Sequence, residues 1–140
     1  MGTNTNTQVA RIGVPGGDVS MKNYTVTDIP ANIAVLLDAT AGNINGVVPP
    51  ATAGSVALMY GIAVEILHAG KTGRVQTLGT AIGIASGSIA VGDSLTVDST
   101  LTKEGRVKTK TAGQQQIGKA LDAVADGELV RVQMAMALDA

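Results

Sequence analysis

Residues 55–67 alternate strictly along the chain. Val56, Leu58, Tyr60, Ile62, Val64 and Ile66 fall on one parity, and Ala57, Met59, Gly61, Ala63, Glu65 and Leu67 on the other. A period of two is the signature of a β-strand. Large apolar groups on one face and mostly small, uncharged ones on the other predict a long strand that is covered on both sides or paired with another subunit. Gly61 is the expected position of a bulge. Residues 72–78 read as the next strand after an Ala69-Gly70-Lys71 turn, which makes a hairpin. A short strand follows at 81–84, before the Ser86-Gly87-Ser88 turn. The last strand is well patterned: Val130, Val132, Met134, Met136 and Leu138 share one face, and Arg131, Gln133, Ala135, Ala137 and Asp139 the other.

The first third is less regular. Residues 21–38 read as the first folded β segment, with the apolar run Ile33-Ala34-Val35-Leu36-Leu37 between Pro30 and Asp38. Residues 43–54 read as a loop, because Asn43, Asn45, two glycines and Pro49-Pro50 disfavour both a helix and a central strand. A loop of that length in a small domain points to a functional or interface role. Residues 114–125 fit two templates: Ile117, Ala120, Leu121 and Val124 have helical spacing, yet Gly118 costs a helix about 1 kcal/mol. No tandem repeat stands out beyond a loose β-turn-β recurrence. Many short strands with glycine turns predict an all-β domain, a barrel or sandwich, over residues 21–140. Residues 1–20 read as an N-terminal arm, extended or disordered. Its Thr/Asn tract buries too little apolar surface to offset chain entropy, and Pro15-Gly16-Gly17 is a turn signal. Val9, Ile12 and Val14 suit an arm that orders on a partner better than a plain linker.

Composition narrows the function classes. The 140 residues fit one domain. Phe, Trp and Cys are absent and only Tyr24 and Tyr60 are aromatic, so the core must be built from aliphatic residues and methionine. Without cysteine there is no disulfide, zinc-thiolate site or thiol nucleophile. Charged residues make up 15 %, against about 25 % in an ordinary soluble domain. A surface so poor in charge implies contact with other subunits or a coat of Thr, Ser, Asn, Gln and Gly. Net charge is −1, without a basic stripe or stacking aromatics, so nucleic acid is not an expected partner. No apolar run is long enough to span a membrane, and the first residues carry no secretory or myristoylation pattern.

Reactive motifs fare poorly. Gly92-Asp93-Ser94-Leu95 spells a serine-hydrolase signature, but such chemistry needs a histidine base held by an acid. The single histidine, His68, lies upstream beside a glycine turn. Gly70-Lys71-Thr72 echoes a phosphate loop but has Glu65 where the first glycine belongs. Asp93, Asp98, Asp122 and Asp126 lack calcium-loop spacing. Met134 and Met136 suit a core or a subunit contact, and Asn23-Tyr24-Thr25 matches a glycan acceptor by chance. No catalytic, cofactor or metal residue is expected, and the chain does not read as an enzyme.

One family is similar to the chain over residues 20–136. The likeness rests on Lys71-Thr72-Gly73-Arg74-Val75, Gly79-Thr80-Ala81, Ile89-Ala90-Val91-Gly92-Asp93-Ser94-Leu95-Thr96-Val97-Asp98, Gly105-Arg106-Val107, Ile117-Gly118-Lys119-Ala120-Leu121 and Leu129-Val130-Arg131-Val132. In these stretches it resembles the capsid decoration, or cement, proteins of tailed bacteriophages. The resemblance implies a β-clip or β-tulip-like domain on the outer surface of the expanded shell, with the major capsid protein as partner. It also implies grouping as a homotrimer and clamping of neighbouring capsid subunits. It favours a strand over 114–125, and it makes Val9, Arg11, Ile12, Val14 and Pro15 of the arm the expected capsid contacts. Other readings are a tail-tube, spike-base or head-fibre β domain, and a ligand-binding β module.

Overall fold

The computed structural model describes residues 17–50, 59–100 and 102–137. Within these, every regular element is a strand: β1 Asp18–Asn23, β2 Ala34–Leu37, β3 Gly46–Val48, β4 Met59–Ala63, β5 Thr72–Gln76, β6 Thr80–Ile84, β7 Ser94–Val97, β8 Val107–Thr109, β9 Gln116–Ala120 and β10 Leu129–Ala137. The all-β class expected from the sequence is what forms. Strands β1-β3-β2-β4-β5 close into a small barrel, and β6-β10-β9-β7-β8 make a second sheet.

The two sheets are copies of one five-strand unit. Each first-unit strand has a counterpart in the second, in the same order, roughly sixty residues further on, and all neighbours match except that the edge strands β6 and β8 do not pair as β1 and β3 do. The parallel pair that closes the barrel, Asn23 with Val47, recurs as the parallel bridge of Ala85 with Val107. The bridge between Ile29 and Leu67 recurs between Ile89 and Val124. Finer bonds repeat too. Glu65 accepts the Arg74 main-chain N–H at 2.9 Å, and Asp122 accepts that of Arg131 at 2.9 Å. Gly17 and Gly79 carbonyls accept the Thr77 and Met134 N–H groups at 2.7 Å. Asp38 and Asp98 each turn the chain by accepting the N–H of Thr40 and Thr100. The absence of a tandem repeat, expected from the sequence, is therefore corrected. Few side chains match between the units, and what recurs is main-chain pairing.

The two units pack against each other. Each has its own core: Met21, Ile29, Val35, Val47, Leu67 and Val75 in the first, and Leu95, Val97, Val107, Ile117, Val130 and Val132 in the second. The second barrel is not zipped shut, for Ile84 and Arg106 do not pair as their counterparts Lys22 and Gly46 do. Ala34, Leu36 and Ile62, on the outer face of β2 and β4, belong to the second core. The opposite face of the same strands serves the first core through Val35 and Ala63. Strand β4 is thus covered on both sides. The positions that match Ala34, Leu36 and Ile62 are Ser94, Thr96 and Lys119.

Three element boundaries differ from expectation. Residues 43–54 contain β3, a barrel strand; it fits because it is only three residues long and ends before Pro49-Pro50. The long strand over 55–67 is β4, which stops at Ala63; Val64 and Ile66 are exposed while Leu67 pairs with Ile29. Residues 51–58 lie outside the description. The bulge expected near Gly61 is present, since Val35 faces Gly61 but Leu36 faces Met59. Residues 114–125 contain strand β9. Gly61 and Gly118 hold matching places where a Cβ would strike the carbonyl of Gln76 or Gln133. Strand β1 starts at Asp18, so Asp18, Val19 and Ser20 of the segment read as arm belong to the barrel.

Candidate interaction surface

The carboxylates flagged by sequence are used in turns. Asp93 accepts the Ala90 N–H and the Thr109 hydroxyl, both at 2.9 Å, and the Ala90 bond is the main reason its carboxyl titrates below the usual range. Ser94 sits on β7 with its hydroxyl 3.1 Å from the Lys119 ammonium, and His68 belongs to the other unit. The Gly92–Leu95 stretch is therefore a strand entry. Burial works against the charge of Asp98, but the Ser86 hydroxyl at 2.5 Å, the Thr100 groups and nearby Lys108 outweigh it and hold that carboxyl low. Asp122 is held low by the paired Arg131 side chain at 2.8 Å and by the Arg131 N–H. Asp126 is held low first by the Gly87 N–H, then by Lys103. His68 and Asp28 form an exposed pair at 3.1 Å, and such pairs contribute little. Among the described residues no three His, Cys, Asp or Glu side chains converge on a metal-sized site, and no helix is long and apolar enough to cross a membrane.

Asn23 is not a glycan acceptor. Its side chain is fully buried, donating to the Thr27 and Leu67 carbonyls at 2.8 Å and accepting from the Thr25 N–H and hydroxyl. These four bonds brace the loop at 24–28, which presents Val26 with 93 % of its surface exposed. Beside it, the Tyr24 hydroxyl donates to the Ile44 carbonyl at 3.0 Å, and Ile44 is 73 % exposed. The Lys22 ammonium lies 4.7 Å from the Tyr24 ring centre. A braced loop that holds an aliphatic side chain in water is preorganised for contact. The second unit lacks this feature: its turn is the shorter Ser86-Gly87-Ser88, and Glu104 stands where Ile44 does. Sequence periodicity missed the tip because Val26 and Ile44 belong to no apolar run.

The expected arm contacts, Val9, Arg11, Ile12, Val14 and Pro15, lie outside the described residues. Description begins at Gly17, whose carbonyl accepts both the N–H and the hydroxyl of Thr77. Strand β1 begins at Asp18, and the Tyr24–Val26–Ile44 tip sits beyond its other end.

No protein-family model and no curated protein sequence matches the chain. Among solved structures it is similar to the N base of the head fibre protein gp8.5 of bacteriophage phi29. That match has a TM-score of 0.60 at 20 % identity, over 84 % of this chain and 94 % of that one. Similarity at that identity is a likeness of fold, and it spans both five-strand units.

Proposed function

We propose that this chain is a structural protein of a bacteriophage virion, mounted on the outside of the head and bound to the major capsid protein. The observation that carries this reading is the likeness of the two-unit fold, over 84 % of this chain, to a head-fibre base. The charge-poor composition and the braced apolar tip at Tyr24, Val26 and Ile44 support it, because both suit close packing on a protein lattice. Its work is binding and bracing, with no catalysis. Two modes of contact operate together. The tip seats in the shell, and the N-terminal arm adds to a capsid sheet edge through main-chain bonds, with Val9, Ile12 and Val14 filling small pockets. Repetition over the lattice turns modest single contacts into firm attachment.

Two roles fit that placement. As a cement protein, the chain would clamp neighbouring capsid subunits, in groups of three. As a base, it would anchor an appendage without bracing the shell. The likeness to a head-fibre base favours the second, and the sequence resemblance to decoration proteins favours the first. Co-sedimentation with expanded and unexpanded shells tests the placement: saturable binding to expanded shells is expected, and binding to neither refutes it. Calorimetry of the loaded shells separates the roles, since a cement raises the shell's melting temperature and a base leaves it unchanged.

A further inference from the structure

Asn45-Gly46 is the chain's single Asn-Gly pair, and it stands where the chain enters β3. Glycine has no Cβ to shield its main-chain nitrogen, so an asparagine before it is open to attack by that nitrogen. Three further features converge on Asn45. It is exposed, it adopts a left-handed φ of 53°, and its side chain makes no hydrogen bond among the described residues. Asn23 and Asn43, by contrast, are tied, the latter to Asp38 at 2.8 Å. Asn32 precedes Ile33, whose branched side chain crowds the approach.

We propose that Asn45 is the modification site at which the folded protein deamidates, and that the product unzips the first barrel. The Gly46 nitrogen loses its proton to solvent hydroxide and bonds to the Asn45 side-chain carbon. The carbon–nitrogen bond of the carboxamide breaks and ammonia leaves, giving a cyclic imide. Water then opens either carbonyl of the ring. One product is aspartate; the other is isoaspartate, whose main chain runs through the former side chain. That extra carbon falls where register matters most. The Asn45 carbonyl accepts the Lys22 N–H at 2.8 Å and the Gly46 carbonyl accepts the Asp38 N–H at 2.8 Å. Lys22 with Gly46 and Asn23 with Val47 are the parallel pairs that close the barrel. The second unit carries Gly105 at this place, also left-handed at φ 85°, so it has no such hazard and glycine suits the backbone there.

The test ages folded protein in mildly alkaline buffer and follows peptide masses, isoaspartate and amide exchange. A gain of one mass unit confined to the Asn45 peptide is expected, with isoaspartate and faster exchange at Lys22, Asn23 and Asp38. Asn45→Gly should keep the unfolding midpoint and show neither change. Earlier conversion of another asparagine, or no conversion while urea-unfolded chain converts, overturns the site. Conversion to isoaspartate without faster exchange at β1 overturns the unzipping.

Discussion

Ile62 is the residue on which the joint between the two units turns. It lies on β4 of the first unit, is 1 % exposed, and is packed into the core of the second. Replacing it with alanine removes three carbons from a filled site, about 2.5 kcal/mol of transfer free energy at about 0.8 kcal/mol per carbon. The cavity left behind raises the loss to roughly 3–4 kcal/mol. Against a total of about 5–15 kcal/mol for a domain, that is a large fraction. Urea unfolding followed by circular dichroism measures it, since no tryptophan is present. Amide exchange locates it: Val97, Val107 and Val130 of the second unit should lose protection although the mutation sits in the first. Val64→Ala, two residues on and 39 % exposed, should cost less than about 1 kcal/mol. A loss below about 1 kcal/mol for Ile62→Ala, or exchange confined to the first unit, would refute the head-to-tail packing. Ile62→Lys, which copies Lys119, should separate the units outright.

Other consequences can be checked singly. Asp98 has a carboxyl held below its ordinary value of 3.8 in the folded state. Its contribution is complete above that value and is lost as pH falls through the depressed one, so Asp98→Asn should flatten the acid limb of a stability–pH curve. Asn23→Ala removes four hydrogen bonds and leaves the Thr25 N–H without its partner, while the Thr27 and Leu67 carbonyls keep those from the Thr25 hydroxyl and the Ile29 N–H; it should cost about 1–3 kcal/mol, read by urea unfolding, with faster exchange in the 24–28 loop. Gly118→Ala drives a Cβ into the Gln133 carbonyl and should cost about 1–3 kcal/mol or prevent folding. Gly113→Ala, whose Cβ would meet nothing within 4 Å, should cost about 1 kcal/mol for its left-handed φ, seen as a small drop in melting temperature. Val26→Ser and Ile44→Ser together should leave the melting temperature within a few degrees while weakening co-sedimentation with shells; unchanged binding would remove the tip from the contact.

The sequence carried the strands whose side chains alternate. Strand β10 shows its pattern because Val130, Val132 and Met134 face a core while Arg131, Gln133 and Ala135 face water. It carried β4 only in part, because both faces of Ile62 and Ala63 are buried and the apolar run continues past the strand end into exposed Val64 and Ile66. Strand β3 was hidden because three residues beside two prolines have no periodicity to read. The repeat was present as Arg74-Val75-Gln76 against Arg131-Val132-Gln133, and as Asp38 and Thr40 against Asp98 and Thr100. Those matches are too short to stand out, since main-chain pairing tolerates almost any side chain between them. The Tyr24–Val26–Ile44 tip could not be read for a related reason. Its residues are far apart in sequence and are joined only by the Asn23 brace and the bond from Tyr24 to Ile44.

The placement on the head is tested most directly by an electron cryomicroscopy reconstruction of purified particles with and without the chain. The account predicts density for two stacked five-strand units on the outer face of the shell, lost in particles that lack the chain, with the Val26 tip or the N-terminal arm against a capsid subunit. Such density in the tail, or none outside the shell in particles that contain the chain, would contradict it.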